Sequence, residues 1–248
     1  MGKKIAILSD IHANLLALEA CLKDAEREQV DQLLSLGDLV GYGPQPEEVV
    51  RLVRALDIKS VMGNHDYAVN AVRAEKWFNP QARTVVALTR RLLSEESLEF
   101  LKGLPLTIMI NGALLVHGFP PNSFKTYLYM VPERGIKRVL SSLEQDIVFV
   151  GHTHELFSYR LKPTGELRVK PLVEGTIALY PGERYIINAG SVGQPRDGDP
   201  RAKYLILDLD NRELTTKFIQ YDWMRVAKMI IEKGFPETYA KRLLGRRP

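Results

Sequence analysis

Two short motifs near the start of this 248-residue sequence carry carboxylates, one of them together with a histidine, in a way that suits metal binding. In Ser9-Asp10-Ile11-His12, a carboxylate oxygen and an imidazole nitrogen stand two positions apart after an apolar run, where they can face one cation. A turn-forming Asp followed by a surface His is the alternative interpretation. In Gly37-Asp38, the carboxylate of Asp38 could bridge two cations with its two oxygens, although Gly and Asp also favour an ordinary strand-to-helix turn.

A third motif, Gly63-Asn64-His65-Asp66, follows another apolar run. The amide oxygen of Asn64 can bind a cation, which leaves the neighbouring His65 free to act as an acid or as a hydrogen-bond donor in a transition state. Asp66 could orient the imidazole of His65 and hold its tautomer. This combination is unusual for a simple turn, so it favours a functional interpretation.

The remaining histidines also follow apolar runs. Gly151-His152-Thr153-His154 places two histidines at positions i and i+2, which is typical of a divalent-metal site. His117 stands alone after Leu115-Val116, and a single histidine of this kind is more often structural than a ligand. The five motifs together use every histidine in the chain, so the ordered set is far more specific than any member.

Elements that can position these motifs alternate along the first half of the chain. The predicted strands are Lys4–Ser9, Gln32–Leu36 and Ile58–Met62, and the predicted helices are Leu15–Glu28, Pro46–Leu56 and Pro80–Leu101. This βαβαβα order predicts a mostly parallel sheet covered by helices. Because ligands bind at the carboxyl ends of such strands, the motifs are expected to converge on one edge of the sheet.

The second half of the sequence is richer in short strands. We expect a hairpin of Leu106–Ile110 and Ala113–Val116, a helix Val131–Leu143, a strand Asp146–Val150, and short strands from 155 to 220. A second, more antiparallel sheet follows from this pattern. A C-terminal helix capped by Asp222 and broken near Gly234 completes the prediction.

The ordered set Asp-x-His, Gly-Asp, Gly-Asn-His-Asp, His and Gly-His-x-His closely resembles the calcineurin-like metallophosphoesterase superfamily. The likeness is greatest to its small prokaryotic branch, often labelled phosphodiesterase or diadenosine-tetraphosphatase-like. It spans Lys4 to about Leu207 and includes Asn188–Arg196. The resemblance implies an α/β fold, a two-sheet β-sandwich flanked by helices (α/β/β/α), in agreement with the two sheets predicted above. We expect one metallophosphoesterase domain over 1–248, with a basic C-terminal helical tail from about 221 to 248.

The resemblance also implies two divalent transition-metal ions, drawn from Mn, Fe, Zn, Ni or Co. The implied ligands are Asp10, His12 and His154 for the first ion, Asn64, His117 and His152 for the second, and Asp38 as the bridge. The implied catalytic histidine is His65, with Asp66 behind it. The implied reaction is hydrolysis of a phosphate ester by metal-bound hydroxide, as a phosphodiesterase or as a nucleotide or phosphomonoester phosphatase.

Substrate contacts are expected from three further residues. Ser191 lies in a glycine-rich loop that could present backbone N–H groups to a phosphate, although a tight turn explains the loop equally well. Arg196 could bind a phosphate through two parallel hydrogen bonds from its guanidinium group. The alternative is that Arg196 is an ordinary charged residue of the protein surface. Asn14 could contact the substrate, but a helix-cap role already explains it.

Several aromatic residues follow the proposed metal motifs and could form a cap that stacks on a nucleobase, with core packing or a dimer contact as the alternative. They are Tyr67, Trp77, Phe78, Phe124, Tyr127 and Tyr129. The expected partner is therefore a small phosphorylated substrate, with a nucleotide as one candidate. Nothing in the sequence indicates an oligomeric state.

The charge and composition of the chain argue against several other classes of protein. The net charge of +4 arises entirely in residues 221–248, because the rest of the chain carries equal numbers of basic and acidic residues. We interpret that segment as a solvated helix face, which argues against a nuclease or another nucleic-acid-binding protein.

No apolar run approaches the roughly 18 residues of a membrane helix. The single cysteine, Cys21, indicates a cytoplasmic protein. A catalytically silent scaffold remains the other alternative, but in such proteins the ligand set is degraded.

Overall fold

The computed structural model describes residues 3–245, apart from the side chains of Val72, Arg73 and Glu75, and the strands in this range form two six-stranded sheets. In spatial order, the first sheet contains β3 (Lys59–Ser60), β2 (Gln32–Ser35), β1 (Lys4–Leu8), β11 (Ala202–Asp208), β12 (Glu213–Ile219) and β9 (Gly175–Ala178). The second contains β4 (Thr107–Ile110), β5 (Ala113–Val116), β6 (Ile147–Val150), β10 (Arg184–Ala189), β7 (Leu156–Leu161) and β8 (Leu167–Pro171). Both sheets are mixed, which confirms the predicted fold class.

The sheets pack face to face because side chains alternate along each strand. In β1, Ile5 and Ile7 point into the core between the sheets, where they join Phe149 and Ile187 of the second sheet. The intervening residues of β1 point to the other face, where helices cover them. A strand that is apolar on both faces, such as β1, therefore belongs in the middle of a layered structure.

Helices cover both outer faces of the sandwich. They are α1 (Leu15–Arg27), α2 (Pro46–Ala55), α3 (Asn64–Ala68), α4 (Pro80–Leu92), α5 (Glu95–Lys102), α6 (Glu133–Ser142), α7 (Trp223–Glu232) and α8 (Glu237–Leu243), with 3-10 turns at Val72–Trp77 and Leu128–Met130. Leu18 of α1 and Val49 of α2 pack on the first sheet, and Leu140 of α6 packs on the second. No helix in the described residues has the length and apolar character needed to cross a membrane.

Two predictions about secondary structure are wrong. The expected helix Pro80–Leu101 is two helices, because Leu93 is extended and Ser94 starts α5 by accepting a hydrogen bond from the backbone N–H of Ser97. The late strands do not all form the second sheet. β11 pairs antiparallel with β1, and β12 and β9 follow it, so these three strands complete the first sheet. The predicted parallel arrangement of β1, β2 and β3 is confirmed.

The C-terminal segment packs against the rest of the fold. Val226 and Ile230 of α7 and Tyr239 and Leu243 of α8 are buried in one apolar cluster with Tyr42. Four of its basic residues are exposed, as expected for a solvated face: Arg225, Lys228, Lys233 and Lys241. Arg242 is half-buried, and the predicted tail residues 246–248 lie outside the described range.

Candidate metal centre

The loops that follow five strands meet at one edge of the sandwich. Asp10 and His12 follow β1, Asp38 follows β2, and Asn64 begins α3 just after β3. His117 follows β5, and His152 and His154 follow β6. The structure thus brings all seven predicted ligands together, because the carboxyl ends of β1, β2 and β3 in one sheet and of β5 and β6 in the other face the same side.

Asp10, His12 and His154 form the first cluster. The Oδ1 atom of Asp10 lies 3.7 Å from Nε2 of His12 and 3.3 Å from Nε2 of His154. The two Nε2 atoms are 3.1 Å apart. Asp10 is fully buried, and its Oδ1 has no hydrogen-bond partner among the described residues. A buried carboxylate oxygen without a donor, facing two imidazole nitrogens, is the arrangement expected of a cation site.

The second cluster gathers around Asp38. Its Oδ2 atom lies 3.3 Å from Nε2 of His117, whose Nε2 is 3.2 Å from the amide oxygen of Asn64. A ligand atom of His152 also lies within 4.8 Å of those of Asp38 and His117.

The two clusters share one carboxylate oxygen. Oδ2 of Asp38 lies 3.7 Å from Nε2 of His12 as well as close to His117. The sequence analysis predicts that Asp38 bridges two cations with its two oxygens. In the structure, however, Oδ1 accepts a hydrogen bond from the backbone N–H of His65 at 2.8 Å. Oδ2 is therefore the oxygen that lies between the clusters.

Backbone carbonyl groups orient the four histidine rings of the clusters. The pairs are His12 Nδ1 with Val40 O at 3.0 Å, His117 Nδ1 with Leu36 O at 2.7 Å, His154 Nδ1 with Gln194 O at 2.6 Å, and His152 Nε2 with Lys125 O at 3.2 Å. Because a carbonyl oxygen only accepts, each ring carries its proton on that nitrogen. The other nitrogen faces the site, where the neutral form of the ring presents a lone pair, as metal-binding histidines do.

Burial sets the protonation of the histidines. It disfavours the imidazolium form, lowering the pKa of His152 to about 4 and that of His154 well below its ordinary value. Burial opposes the charge of His117 too, but the carboxylate of Asp38 outweighs it and raises this pKa to about 9. Burial alone would raise the pKa of Asp10, yet the neighbouring imidazoles of His154, His12 and His117 together bring it below the ordinary range. The carboxylate of Asp10 is therefore ionised and His152 and His154 are neutral at pH 7, whereas His117 is charged beside Asp38 unless a cation takes the place of its proton.

The backbone of the cluster is held in conformations that ordinary residues seldom adopt. Five of the seven residues have a left-handed φ: Asp10 (51°), His12 (48°), Asp38 (51°), His152 (67°) and His154 (62°). Such positions cost free energy and concentrate at functional sites, where the surrounding structure enforces them.

Two glycines permit the close packing of these loops. A Cβ atom at Gly63 would lie 2.1 Å from Oδ1 of Asp38, and one at Gly151 would lie 2.6 Å from Oδ2 of Asp10. Both distances are far below van der Waals contact. The glycines in the Gly-Asn-His-Asp and Gly-His-x-His motifs are therefore needed for backbone approach to the carboxylates.

His65 stands beside the clusters, with its ring packed among other rings. Its centroid lies 4.4 Å from that of Tyr42, 4.8 Å from that of Phe78 and 5.1 Å from that of His12. Burial lowers the pKa of His65 to about 3. Its Nδ1 is buried without a hydrogen-bond partner in the described structure.

The expectation that Asp66 orients the imidazole of His65 is wrong. The carboxylate of Asp66 accepts hydrogen bonds from the backbone N–H groups of Gly63 at 3.0 Å and Val40 at 3.2 Å. Asp66 thus ties the loop after β2 to the start of α3 and acts on His65 only by fixing the backbone around it. Burial, with the charge of Asp38, raises its pKa to about 7.

Asn14 and Ser191 are not available to a substrate in this structure. Asn14 caps α1 through its side-chain oxygen, and its amide group donates to Gly193 O and to the hydroxyl of Tyr221. Ser191 is fully buried, donates to the backbone oxygen of Asp10 and accepts from the backbone N–H of Gln194. Because the polar groups of both side chains already form hydrogen bonds within the protein, the predictions that Asn14 and Ser191 contact the substrate are wrong.

A cavity of about 300 Å³ opens onto the clusters. Its lining includes Arg196, as expected of a substrate-binding residue, and three of the predicted cap aromatics, Trp77, Phe78 and Tyr127. The other three cap aromatics support these rings: Tyr67 and Phe124 pack on Trp77, and Tyr129 stacks on Tyr127. Tyr127 also stacks on His152, with ring centroids 3.8 Å apart.

The sequence analysis missed two tyrosines at this site. Tyr42 lies 4.5 Å from the ring of His12, and Tyr239 of α8 stacks on Tyr42 with a centroid distance of 4.6 Å. The run Gly41-Tyr42-Gly43, which begins three residues after Asp38, is a local signal for the first. No local pattern marks Tyr239, because its contact joins residues far apart in the chain.

The arrangement fits divalent transition-metal ions. It offers imidazole nitrogens, carboxylate oxygens and one amide oxygen, a mixture that suits Mn, Fe, Zn, Ni or Co better than the all-oxygen ligation typical of Mg²⁺. The unpartnered Oδ1 of Asp10 and the free lone pairs of the oriented histidines are the observations behind this fit. Cations held here beside a polar cavity could polarise a phosphoryl group.

Known proteins resemble this chain over most of its length. The family model for the calcineurin-like phosphoesterase superfamily domain matches residues 4–212. The crystal structure of a metallophosphoesterase from Sphaerobacter thermophilus is 39% identical, superposes with a TM-score of 0.87 and covers 99% of each chain. An uncharacterized protein of Methanocaldococcus jannaschii is 37% identical over 247 residues, 98% of each chain.

A shorter match has a named activity. The symmetrical bis(5′-nucleosyl)-tetraphosphatase of Nitrosococcus oceani is 38% identical over 99 residues, which cover 38% of this chain and 36% of that protein.

Proposed function

Since the chain belongs to the calcineurin-like phosphoesterase superfamily and is a hydrolase acting on phosphate esters, we propose that it works with two bound divalent transition-metal ions. The observation that carries this proposal is the orientation of the histidines. Four of them give one ring nitrogen to a backbone carbonyl, so the other nitrogen of each is free for a cation.

We propose the following ligand sets. Asp10, His12 and His154 hold one ion, and Asn64, His117 and His152 hold the other. Asp38 contributes its Oδ2 to both, which agrees with its position between His12 and His117. His152 binds through Nδ1, because its Nε2 faces the carbonyl oxygen of Lys125.

When bound, the two ions would supply a nucleophile at neutral pH and would offset negative charge on the phosphoryl group. The protein's own residues then position the substrate. Arg196 at the cavity wall binds a phosphoryl oxygen through its guanidinium group.

We propose His65 as the catalytic side chain. It lines the cavity next to Asn64. The backbone N–H of His65 donates a hydrogen bond to Oδ1 of Asp38, which fixes the residue relative to the bridging carboxylate. With its ring neutral through burial and held by packing, His65 can donate a hydrogen bond to the leaving-group or phosphoryl oxygen. Asp66 supports this arrangement as a positioning residue.

The proposed substrate is a small phosphorylated molecule such as a nucleotide, cleaved as a diester or a monoester. A cavity of about 300 Å³ with the aromatic side chains of Tyr42, Trp77, Phe78 and Tyr127 in its lining suits such a molecule. The similarity to a bis(5′-nucleosyl)-tetraphosphatase favours a nucleotide. The net positive charge of the chain arises in residues 221–248, and the rest carries equal numbers of basic and acidic residues, so nucleic acid is not the proposed substrate.

We further propose that residues 1–248 form one domain that acts in the cytoplasm. The two sheets share one core, to which β1 and β10 both contribute, and α7 and α8 join the rest through Tyr42. Cys21 is a buried, free thiol, as is usual in a reducing compartment.

The test is hydrolysis of p-nitrophenyl phosphate and bis-p-nitrophenyl phosphate after loading with Mn²⁺, with metal content measured on the same sample. We expect turnover that a chelator abolishes and added metal restores. Absence of turnover of both substrates by protein with two bound ions would overturn the proposal and favour the scaffold alternative.

A further inference from the structure

Lys203 is a charged residue at a position of β11 where the strand pattern calls for an apolar side chain. Side chains alternate along a strand, so Lys203 lies on the same face of β11 as Leu205 and Leu207, which fill the core between the two sheets. Lys203 is only 1% exposed. Because lysine is almost never buried this fully unless its charge is paired, the ammonium group is expected to make a specific contact.

The ammonium group of Lys203 reaches the loop that follows Gln194. Its Nζ donates a hydrogen bond to Oδ1 of Asp197 at 2.8 Å and a second one to the backbone oxygen of Asp199. The Nζ atom also lies 5.2 Å from the ring centroid of Phe218, within the range of a cation–π contact. These contacts offset the cost of burying the charge.

Residues 195–201 of this loop depend on side chains for their conformation. None of their backbone N–H or C=O groups is hydrogen-bonded to another backbone group in the described structure. The loop is held instead by Lys203 and by Arg201, whose guanidinium group donates to the carboxylate of Asp199. A segment without backbone pairing opens at little cost in free energy, so the contacts of Lys203 determine where the loop lies.

The loop carries Arg196, which lines the cavity beside the metal clusters. Arg196 stands between two anchored residues. On one side, the backbone oxygen of Gln194 faces Nδ1 of His154 at 2.6 Å. On the other side, the carboxylate of Asp197 is held by Lys203. The backbone of Arg196 is therefore fixed relative to the clusters at one end and relative to the core at the other.

We propose that Lys203 is a positioning residue that holds Arg196 ready for the phosphoryl group and thereby sets the affinity for substrate. This inference rests on the proposed function, because it takes Arg196 as a phosphate-binding residue. Fixing the loop before the substrate arrives reduces the entropy that Arg196 loses on binding. A lysine suits this role, since one ammonium group can donate to Asp197 and Asp199 together.

The first test removes the charge at either end of the contact. Lys203→Met keeps the apolar stem and loses the ammonium group, and Asp197→Asn changes a side chain that is one third exposed. In each variant we expect KM for p-nitrophenyl phosphate or its bis ester to rise about 5- to 10-fold, as the ordering of a long side chain on binding would cost. The value of kcat and the Mn²⁺ content should stay near those of the unaltered protein, and Asp197→Glu should recover part of the affinity.

Lys217→Met is the matched control. Lys217 is a partly buried lysine in the neighbouring strand β12, and its ammonium group pairs with Asp24 and Glu28, away from the loop. Its replacement removes an ion pair of the same kind from the same sheet, so KM should not change.

A double substitution separates positioning from general stability. Arg196→Gln alone should raise KM about 10- to 100-fold, the loss of a hydrogen bond to a charged group. Adding Lys203→Met should then leave KM where Arg196→Gln puts it, because the side chain that Lys203 positions is already gone. If Lys203 served only the stability of the fold, the two effects on KM would multiply. If Lys203→Met does not fold, Asp197→Asn combined with Arg196→Gln gives the same test.

Multiplying effects, or an unchanged KM in both Lys203→Met and Asp197→Asn, would overturn the inference and leave the phosphoesterase proposal intact. If the Mn²⁺-loaded protein turns over neither ester, the proposed function fails. Titration calorimetry with inorganic phosphate on the same variants then decides the role of Lys203. Weaker phosphate binding in Lys203→Met and Asp197→Asn supports that role, whereas equal Kd values, or no phosphate binding by the unaltered protein, contradict it.

Discussion

The Nε2 atoms of His12 and His154 lie 3.1 Å apart, although the two residues are separated by 142 positions in the chain. Each ring carries its proton on Nδ1, which faces the carbonyl oxygen of Val40 or Gln194. Two lone pairs therefore point at each other beside the unpartnered Oδ1 of Asp10. Lone pairs that face each other are unfavourable without a positive charge between them, so this geometry calls for a cation.

His154→Ala should remove one of the two proposed ions, because it deletes a proposed ligand of the first cluster and leaves the second cluster whole. We expect metal content to fall toward one ion per chain and activity to fall more than about 100-fold, beyond the usual effect of losing a hydrogen-bond partner of a ligand. Elemental analysis measures the metal content, and steady-state kinetics measures the activity. Glu155→Gln, at the exposed neighbouring position, should retain both ions. Full metal content in His154→Ala would contradict the assignment.

His65→Asn should keep the metal and lose most of the rate. The side chain lies outside the proposed ligand sets, and loss of a proton or hydrogen-bond donor in the transition state typically costs about 10²- to 10⁴-fold. Metal content and thermal stability should stay near those of the unaltered protein while kcat falls. A variant with unchanged kcat would remove His65 from the mechanism.

Gly63→Ala should destabilise the protein and impair metal binding together. The added Cβ would lie 2.1 Å from Oδ1 of Asp38, so either the bridging carboxylate or the start of α3 must move. We expect a loss of about 1–3 kcal/mol in the free energy of unfolding, as for other overpacked sites. Gly103→Ala is the control, because its Cβ would meet nothing closer than 3.5 Å. Denaturant unfolding with and without metal separates the two effects, and equal stability of the two variants would show that the loop adjusts.

Glu47 should make stability depend on pH in the acidic range. Burial alone would raise its pKa, but hydrogen bonds from the backbone and hydroxyl of Ser94, with others from Ser97 and Arg51, lower it from 4.5 to about 2. Since the folded pKa lies below the unfolded one, the stabilisation is present above about pH 4.5 and is lost as the pH falls toward 2.

Glu47→Gln should therefore lower the free energy of unfolding by about 1–2 kcal/mol at pH 7, the size of a hydrogen bond to a charged group. The difference from the unaltered protein should shrink as the pH is lowered to 3.5. Metal-free protein is used for the measurement, so that loss of metal does not contribute. Glu48→Gln, exposed on the same helix, serves as the control and should change little at either pH. A difference that grows toward acid pH would refute the role of Glu47.

The loops of the site could be located from sequence because each motif follows a strand. An apolar strand run is a local signal, and parallel strands of one sheet present their carboxyl ends on one side, so His12 and Asp38 had to meet once β1 and β2 paired. The left-handed backbone at both residues could not be inferred, since Asp and His seldom adopt it without tertiary contacts.

Other features depend on contacts between distant segments. The interruption of the predicted helix at Leu93 reflects the hydrogen bonds between Ser94 and Glu47, which lie in different helices. The position of Asp66 was misjudged because sequence proximity to His65 suggested a contact, whereas helical geometry turns the carboxylate toward Val40 and Gly63. The burial of Tyr239 against Tyr42 has no local sign at all.

The carbonyl of Gln194 that orients His154 has a consequence for how the enzyme is made. The first metal cluster needs Asp10 from the beginning of the chain, and the ring of His154 is oriented only when the loop around Gln194 is in place. The same loop is tied to the start of the chain by the hydrogen bond from Gly193 N to Asp10 O. A chain whose synthesis has not passed that loop therefore lacks the group that orients His154, so the arrangement of the first cluster is complete only once the loop around Gln194 has been made.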